Sequence, residues 1–152
     1  MTSMANDAPA VGVHAAATPA RCTGLLVLRL MVGAVLLAHG IPKLGHPGAF
    51  IKMVASLGVP LPEVAGVLQM AGEVGLGALL LAGLLSRVAG ALVAVMMGIL
   101  WVVVHAPDGL LAQGGLSGET ALLLAFGGLA IALLGGGSYS LDGVLAKARK
   151  AR

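Results

Sequence analysis

Seven polar side chains stand within or beside stretches that are otherwise almost wholly apolar, and these are the residues of this sequence that could do chemistry. Arg29 lies inside the apolar run 23–41, and Glu73 lies inside the run 64–85. A charge at the centre of a membrane-spanning helix costs about 2.5–3.5 kcal/mol on insertion scales. Two charges of opposite sign on neighbouring segments are therefore expected to form a buried pair, Arg29 with Glu73, inside a bundle of helices. The other five are His39, Lys43, Gln69, His105 and Glu119. They are expected to gather at the outer ends of their helices, with His46 and Asp108 nearby. Two histidines and a carboxylate can ligate a metal, or donate to and accept from a small polar ligand such as a quinone ring. The plainer alternative is that they cap helix ends and meet water. No HxxxH or ExxH spacing occurs, so no metal site is assigned. No catalytic residue is assigned either: the chain holds no nucleotide loop, haem-attachment motif, thiol pair or assembled triad.

The elements that position these groups follow from composition. The chain has 152 residues, 59% hydrophobic and 10% charged, with a mean hydropathy of +1.03. Soluble domains average about 45–50% apolar and 25% charged, so this surface cannot face water on all sides. A single cysteine, Cys22, excludes an internal disulfide and a CxxC redox motif. Residues 1–22 read as a disordered cytoplasmic tail, 23–143 as a transmembrane domain, and 144–152 as a basic cytoplasmic tail. Four segments are long enough to span a bilayer: about 24–41, 62–85, 87–105 and 118–134. Pro42 closes the first, Pro62 and Glu63 open the second, Pro107 closes the third, and Gly135 to Gly137 end the fourth. Only Ser86 and Arg87 part the second and third runs, which calls for a tight hairpin or one bent unit. Between the first two, Phe50, Ile51, Val54 and Leu57 recur at helical spacing, as expected of a short helix lying flat at the interface. The fold class is all-α: an integral membrane antiparallel four-helix bundle with a short interfacial helix between helices 1 and 2.

Basic residues in short loops set orientation. Arg21, Arg87, Lys147, Arg149, Lys150 and Arg152 fall on one side, and Lys43 and Lys52 on the other. Both termini are thereby expected in the cytoplasm, in the cell inner membrane, with membrane lipid as a partner and no nucleic acid. At 100° per residue, Arg29, Gly33, Leu36, Gly40 and Lys43 share one line on the first helix. Pro62, Gly66, Gln69, Glu73 and Gly77 share another on the second. Facing stripes would leave Arg29 and Glu73 about one helical turn apart in depth, within an arginine's reach. The stripes Gly90–Ala94–Gly98 and Gly128–Ala132–Gly136 read as helix-packing seams.

The run LVLRLMVGAVLLAHGIPKLGHPGAF, the GVPLP turn at 58–62, AGEVGLGALLLAGLLSR at 71–87, GET at 118–120 and GGGSYSLD at 135–142 together resemble the DoxX family of small membrane proteins. The resemblance covers about residues 23–143. It implies a four-helix inner-membrane bundle and an association with redox chemistry, since relatives include subunits of a thiosulfate:quinone oxidoreductase. The polar positions that match the family pattern are Arg29, His39, Lys43, Glu73 and Glu119. The expected role is an accessory or quinone-interacting subunit of a membrane redox system, with other redox-enzyme subunits as possible partners. Two other classes stay open: a structural or assembly protein, and a small-solute or proton carrier, which the lack of an internal repeat disfavours.

Overall fold

The chain builds its structure from apolar helices whose ends are set by proline, glycine and a few polar caps. The computed structural model describes residues 18–112 and 115–151. Within them run α1 (Pro19–Gly45), α2 (Pro47–Ser56), α3 (Pro62–Ala82), α4 (Ser86–Leu100), α5 (Glu119–Leu134) and α6 (Leu141–Lys150). A π-helical turn, Trp101–His105, prolongs α4, and a two-residue antiparallel ladder, Leu111–Ala112 with Gly115–Leu116, lies before α5. Among the described residues, α1, α3 and α4 with its π-turn are long and apolar enough to cross a membrane; α5 is apolar but shorter.

Besides the α3–α4 turn, which is formed by residues 83–85 and leaves Ser86 and Arg87 to α4, three boundaries differ from the sequence expectation. The segment 1–22 is a tail by that expectation; residues 1–17 lie outside the described residues, and 18–22 are ordered. Thr18 caps α1 by accepting from the Arg21 N–H, and Pro19 occupies the first turn, where its missing donor is harmless. Pro42 does not end α1. It sits one turn from the C-terminus, so only the bond to the Ala38 carbonyl is lost, and the His46 N–H closes the last turn on Lys43. The helix therefore carries Lys43 on its own face. The third difference is α6, which runs across the expected 143/144 boundary. Ser140 accepts from the Gly143 N–H at its start, Asp142 lies in its first turn, and Lys147, Arg149 and Lys150 lie in its last.

Close packing rests on small residues at two seams. A Cβ on Gly33 would sit 2.9 Å from the Gly77 carbonyl oxygen, and one on Gly77 3.0 Å from that of Gly33, so α1 and α3 meet backbone to backbone. On the other seam a Cβ on Gly90 would sit 2.7 Å from the Gly128 carbonyl oxygen, which locks α4 on α5. Between the seams Val32, Leu36, Leu80, Val93, Met97, Leu124 and Ile131 form the buried core. The outer faces stay apolar: Val27, Leu68, Leu123 and Phe126 are more than half exposed. Contiguous apolar surface of this kind marks a face that water does not cover.

The α3–α4 turn holds one of the two non-glycine residues with a positive φ among the described residues. Leu85 takes a left-handed φ of 51°, a conformation that disfavours a β-carbon by about 1–3 kcal/mol. The strain is held by Asp142, whose two carboxylate oxygens accept from the N–H groups of Leu85 (2.8 Å) and Ser86 (2.7 Å). In return the Asp142 N–H donates to the Gly83 carbonyl at 3.0 Å. Burial alone would raise the Asp142 carboxyl, but the hydrogen bonds from Ser86 and Leu85, with the nearby Arg29 charge, hold it below its ordinary value.

Candidate functional site

Of the stripe on α1, Arg29, Gly33, Leu36 and Gly40 are buried and Lys43 half-buried; of that on α3, Gly66, Glu73 and Gly77 are buried and Gln69 half-buried. The two polar stripes do face the interior, but their register separates the expected pair. Gly33 lies against Gly77, and a Cβ on Gly40 would sit 2.8 Å from the Glu73 Cβ. Each step towards the N-terminus of α1 therefore moves towards the C-terminus of α3. Arg29 comes level with Gly83, where its guanidinium occupies the space a Cβ would need. Ten residues separate Gly83 from Glu73, about 15 Å at 1.5 Å per residue. That is too far for an ion pair. The expectation of an Arg29–Glu73 pair is thus corrected: both charges are buried, 1% and 2% exposed, but each has its own partners.

Glu73 is held by Lys43, whose Nζ donates to Oε1 at 2.6 Å and Oε2 at 2.7 Å, and by Gln69 Nε2, which donates to Oε1 at 2.9 Å. Gln69 stands one turn before Glu73 on α3, so its placement follows from helical spacing alone. Gly40 lets α1 close on the carboxylate, and Lys43, one turn further, reaches back over it. The Lys43 side chain is 23% exposed against 3% for Glu73, so a partly exposed lysine covers a buried carboxylate. Phe50 on α2 lies under the ammonium, 4.5 Å from Nζ to the ring centre. α2 is itself set by Ile51, which packs into the space left by Gly66.

Arg29 forms a second polar centre. Its Nη2 donates to the Tyr139 carbonyl at 2.8 Å, while Nε and Nη1 have no hydrogen-bond partner among the described residues. Around it stand Gly83 and Ser140, with Ser86 close to Ser140 through Gly136. This centre ties α1 to the α5–α6 turn.

The remaining expected site residues do not converge. His39 is exposed, and its Nδ1 lies 2.8 Å from the Val35 carbonyl of its own helix. Glu119 is exposed in the first turn of α5. His105 is half-buried with its ring against Gly118, and its carbonyl accepts from Ser117 Oγ at 3.2 Å. Trp101 Nε1 donates to the Ser117 carbonyl at 2.7 Å, so its indole is tied to the loop. Of the five, Lys43 and Gln69 alone share a partner among the described residues, the Glu73 carboxylate. Among the described residues no group of three His, Cys, Asp or Glu side chains could hold a metal ion. Phe50 and the Tyr139 carbonyl touch the charged residues, and Asp142 holds the α3–α4 turn near Arg29, without any expectation of it from the sequence. Asp142 had a signal in its position after the Ser140 cap.

Apolar outer faces, glycine seams and charges turned inwards define a helical membrane protein with a polar interior. The DoxX family model matches residues 24–106, more than half the chain and nearly all of α1 through α4. The chain belongs to the DoxX family. No curated protein and no solved structure matches it. The matched stretch contains the whole Lys43–Gln69–Glu73 centre, whereas Tyr139 and Asp142 lie beyond it.

Proposed function

We propose that the protein is a multi-pass subunit of the cell inner membrane, an antiparallel four-helix bundle with both termini in the cytoplasm. In this reading it binds a quinone head group at Lys43, Gln69 and Glu73, in association with other subunits of a membrane redox system. The observation that carries it is a buried carboxylate covered by a partly exposed lysine. Lys43 has three N–H donors and spends two on Glu73; Gln69 keeps a second N–H and its carbonyl oxygen. Those groups can orient a ligand carbonyl, and Glu73 can take or return a proton through Lys43. The Phe50 ring offers an apolar wall beside them. When bound, a quinone supplies two-electron chemistry that none of these side chains can.

The test is quinone content after gentle extraction, measured by chromatography of the solvent extract. The Lys43→Met/Glu73→Gln double variant should lose the bound quinone, and His39→Ala and Glu119→Ala should keep it. Equal quinone in the wild type and the double variant would overturn the proposal.

A second reading is favoured by one observation: both Glu73 oxygens are already engaged. Here the centre only fixes the register of α1 on α3, and the protein serves assembly without chemistry of its own. Glu73→Gln alone should then cost about 3–5 kcal/mol by stranding Lys43, while the double variant recovers most of that stability. No quinone would be found in any variant.

A further inference from the structure

The end of the molecule away from Glu73 carries an opening that none of the residues above explains. A cavity of about 290 Å³ lies between the first turns of α1, the α5–α6 turn and α6. Leu25 and Leu134 give it apolar walls. The buried Cys22 thiol donates to Ser138 Oγ at 3.3 Å, which leaves the Ser138 hydroxyl hydrogen free to donate. The exposed Arg21 and Lys147 complete the lining. Among the described residues neither forms an ion pair. Asp142, the acid in the first turn of α6, has both oxygens engaged by Leu85 and Ser86.

Beside the cavity, α6 turns its apolar side outwards. Leu141, Val144 and Leu145 are 47%, 58% and 49% exposed. At 100° per residue they form, with Ala148, a stripe about 100° wide, with Lys147 and Arg149 on either side of it. An exposed apolar stripe bordered by cations is the pattern of a helix lying in the headgroup layer of a membrane.

We propose that this cavity binds the phosphate of an anionic membrane phospholipid between Arg21 and Lys147, with α6 lying in the same headgroup layer. Ser138 donates to a phosphate oxygen, and the acyl chains leave past Leu25 and Leu134 into the bilayer. Two cations that pair with no carboxylate among the described residues favour a net negative headgroup over a zwitterionic one, whose choline they repel. The proposal rests on the membrane location and not on the quinone reading, so a failure to find quinone leaves it standing.

Cys22 reports directly, being the single cysteine of the chain and part of the cavity lining. The full-length protein is placed in nanodiscs of phosphatidylcholine with increasing phosphatidylglycerol, and the rate of maleimide labelling is followed. Phosphatidylglycerol should slow labelling, and phosphatidylcholine alone should not. Arg21→Ala and Lys147→Ala should each raise the anionic fraction needed for half protection about five-fold. Arg149→Ala/Lys150→Ala, which leaves the cavity intact, should shift it far less. Three results would overturn the assignment: equal rates in both lipids, an equal loss in the control variant, or the same protection by inorganic phosphate in neutral nanodiscs, which would make this a site for a free anion.

Discussion

Asp142 gives both its carboxylate oxygens to N–H groups that the start of α4 would otherwise leave open, and its charge faces the buried Arg29. Its folded-state value is held below the ordinary carboxylate value of about 3.9. The stability it contributes is therefore fully present above about pH 4 and is lost as pH falls through the lower, folded value. Asp142→Asn keeps one acceptor but brings an amide against an N–H, so it should cost about 1–3 kcal/mol at neutral pH. Thermal melts of the detergent-solubilised protein between about pH 3 and pH 7 (a window set about the carboxylate value) would check this. The wild type should lose stability over the lowest unit or so, and the variant should show less of that loss. The burial of Arg29 and Glu73 was legible in the sequence, because insertion cost forbids either charge from facing lipid. Their partners were not legible. Hydropathy places a residue in a helix but does not fix the sliding register of two helices; here Arg29 lies level with Gly83, and Lys43, fourteen residues along the same helix, takes the place beside Glu73.

At the scale of the element, the glycine stripes do act as seams, yet only part of each is used. Gly90 and Gly128 touch across α4 and α5, whereas a Cβ added to Gly98 would meet nothing within 4 Å, and Gly136 packs against Ser86 and Ser140 instead. A four-residue repeat marks a face, but contact depends on where the helices cross along it. Gly90→Leu should separate α4 from α5 and cost about 1–3 kcal/mol or more. Gly98→Ala, which meets open space, should leave the melting temperature nearly unchanged or raised. Similar losses in both would show that the α4–α5 seam is not what holds these helices. α6 escaped the sequence reading because Asp142 and Gly143 look like a turn and the run is too short for a hydropathy window. Its cap and its terminal charges were present all along. Pro42 misled for the opposite reason: a proline stops a helix in its interior, but near the last turn it removes one bond only.

Across the whole molecule, the all-helical class and the membrane location were readable from composition, since no aqueous fold could cover so much apolar surface. The number of crossings turns on α5. Alkaline phosphatase fused after Gly109 should be active and fused after residue 152 inactive, if α1, α3, α4 and α5 each cross. Activity at the C-terminus would leave an odd number of crossings and refute the arrangement.

At 16 residues α5 is about 24 Å long, against a hydrocarbon core of about 30 Å, while α1 beside it has 27 residues. One flank of the protein is thus longer than the oily layer is thick, and another is shorter. Where α1 and α5 both cross, the longer helix tilts or carries its polar ends clear of the oily layer while the bilayer dips beside the shorter one, which sets a slope in bilayer thickness around the molecule. A neighbour with an equally short flank would relieve the dip, which gives α5 a preferred side for company without any specific bond.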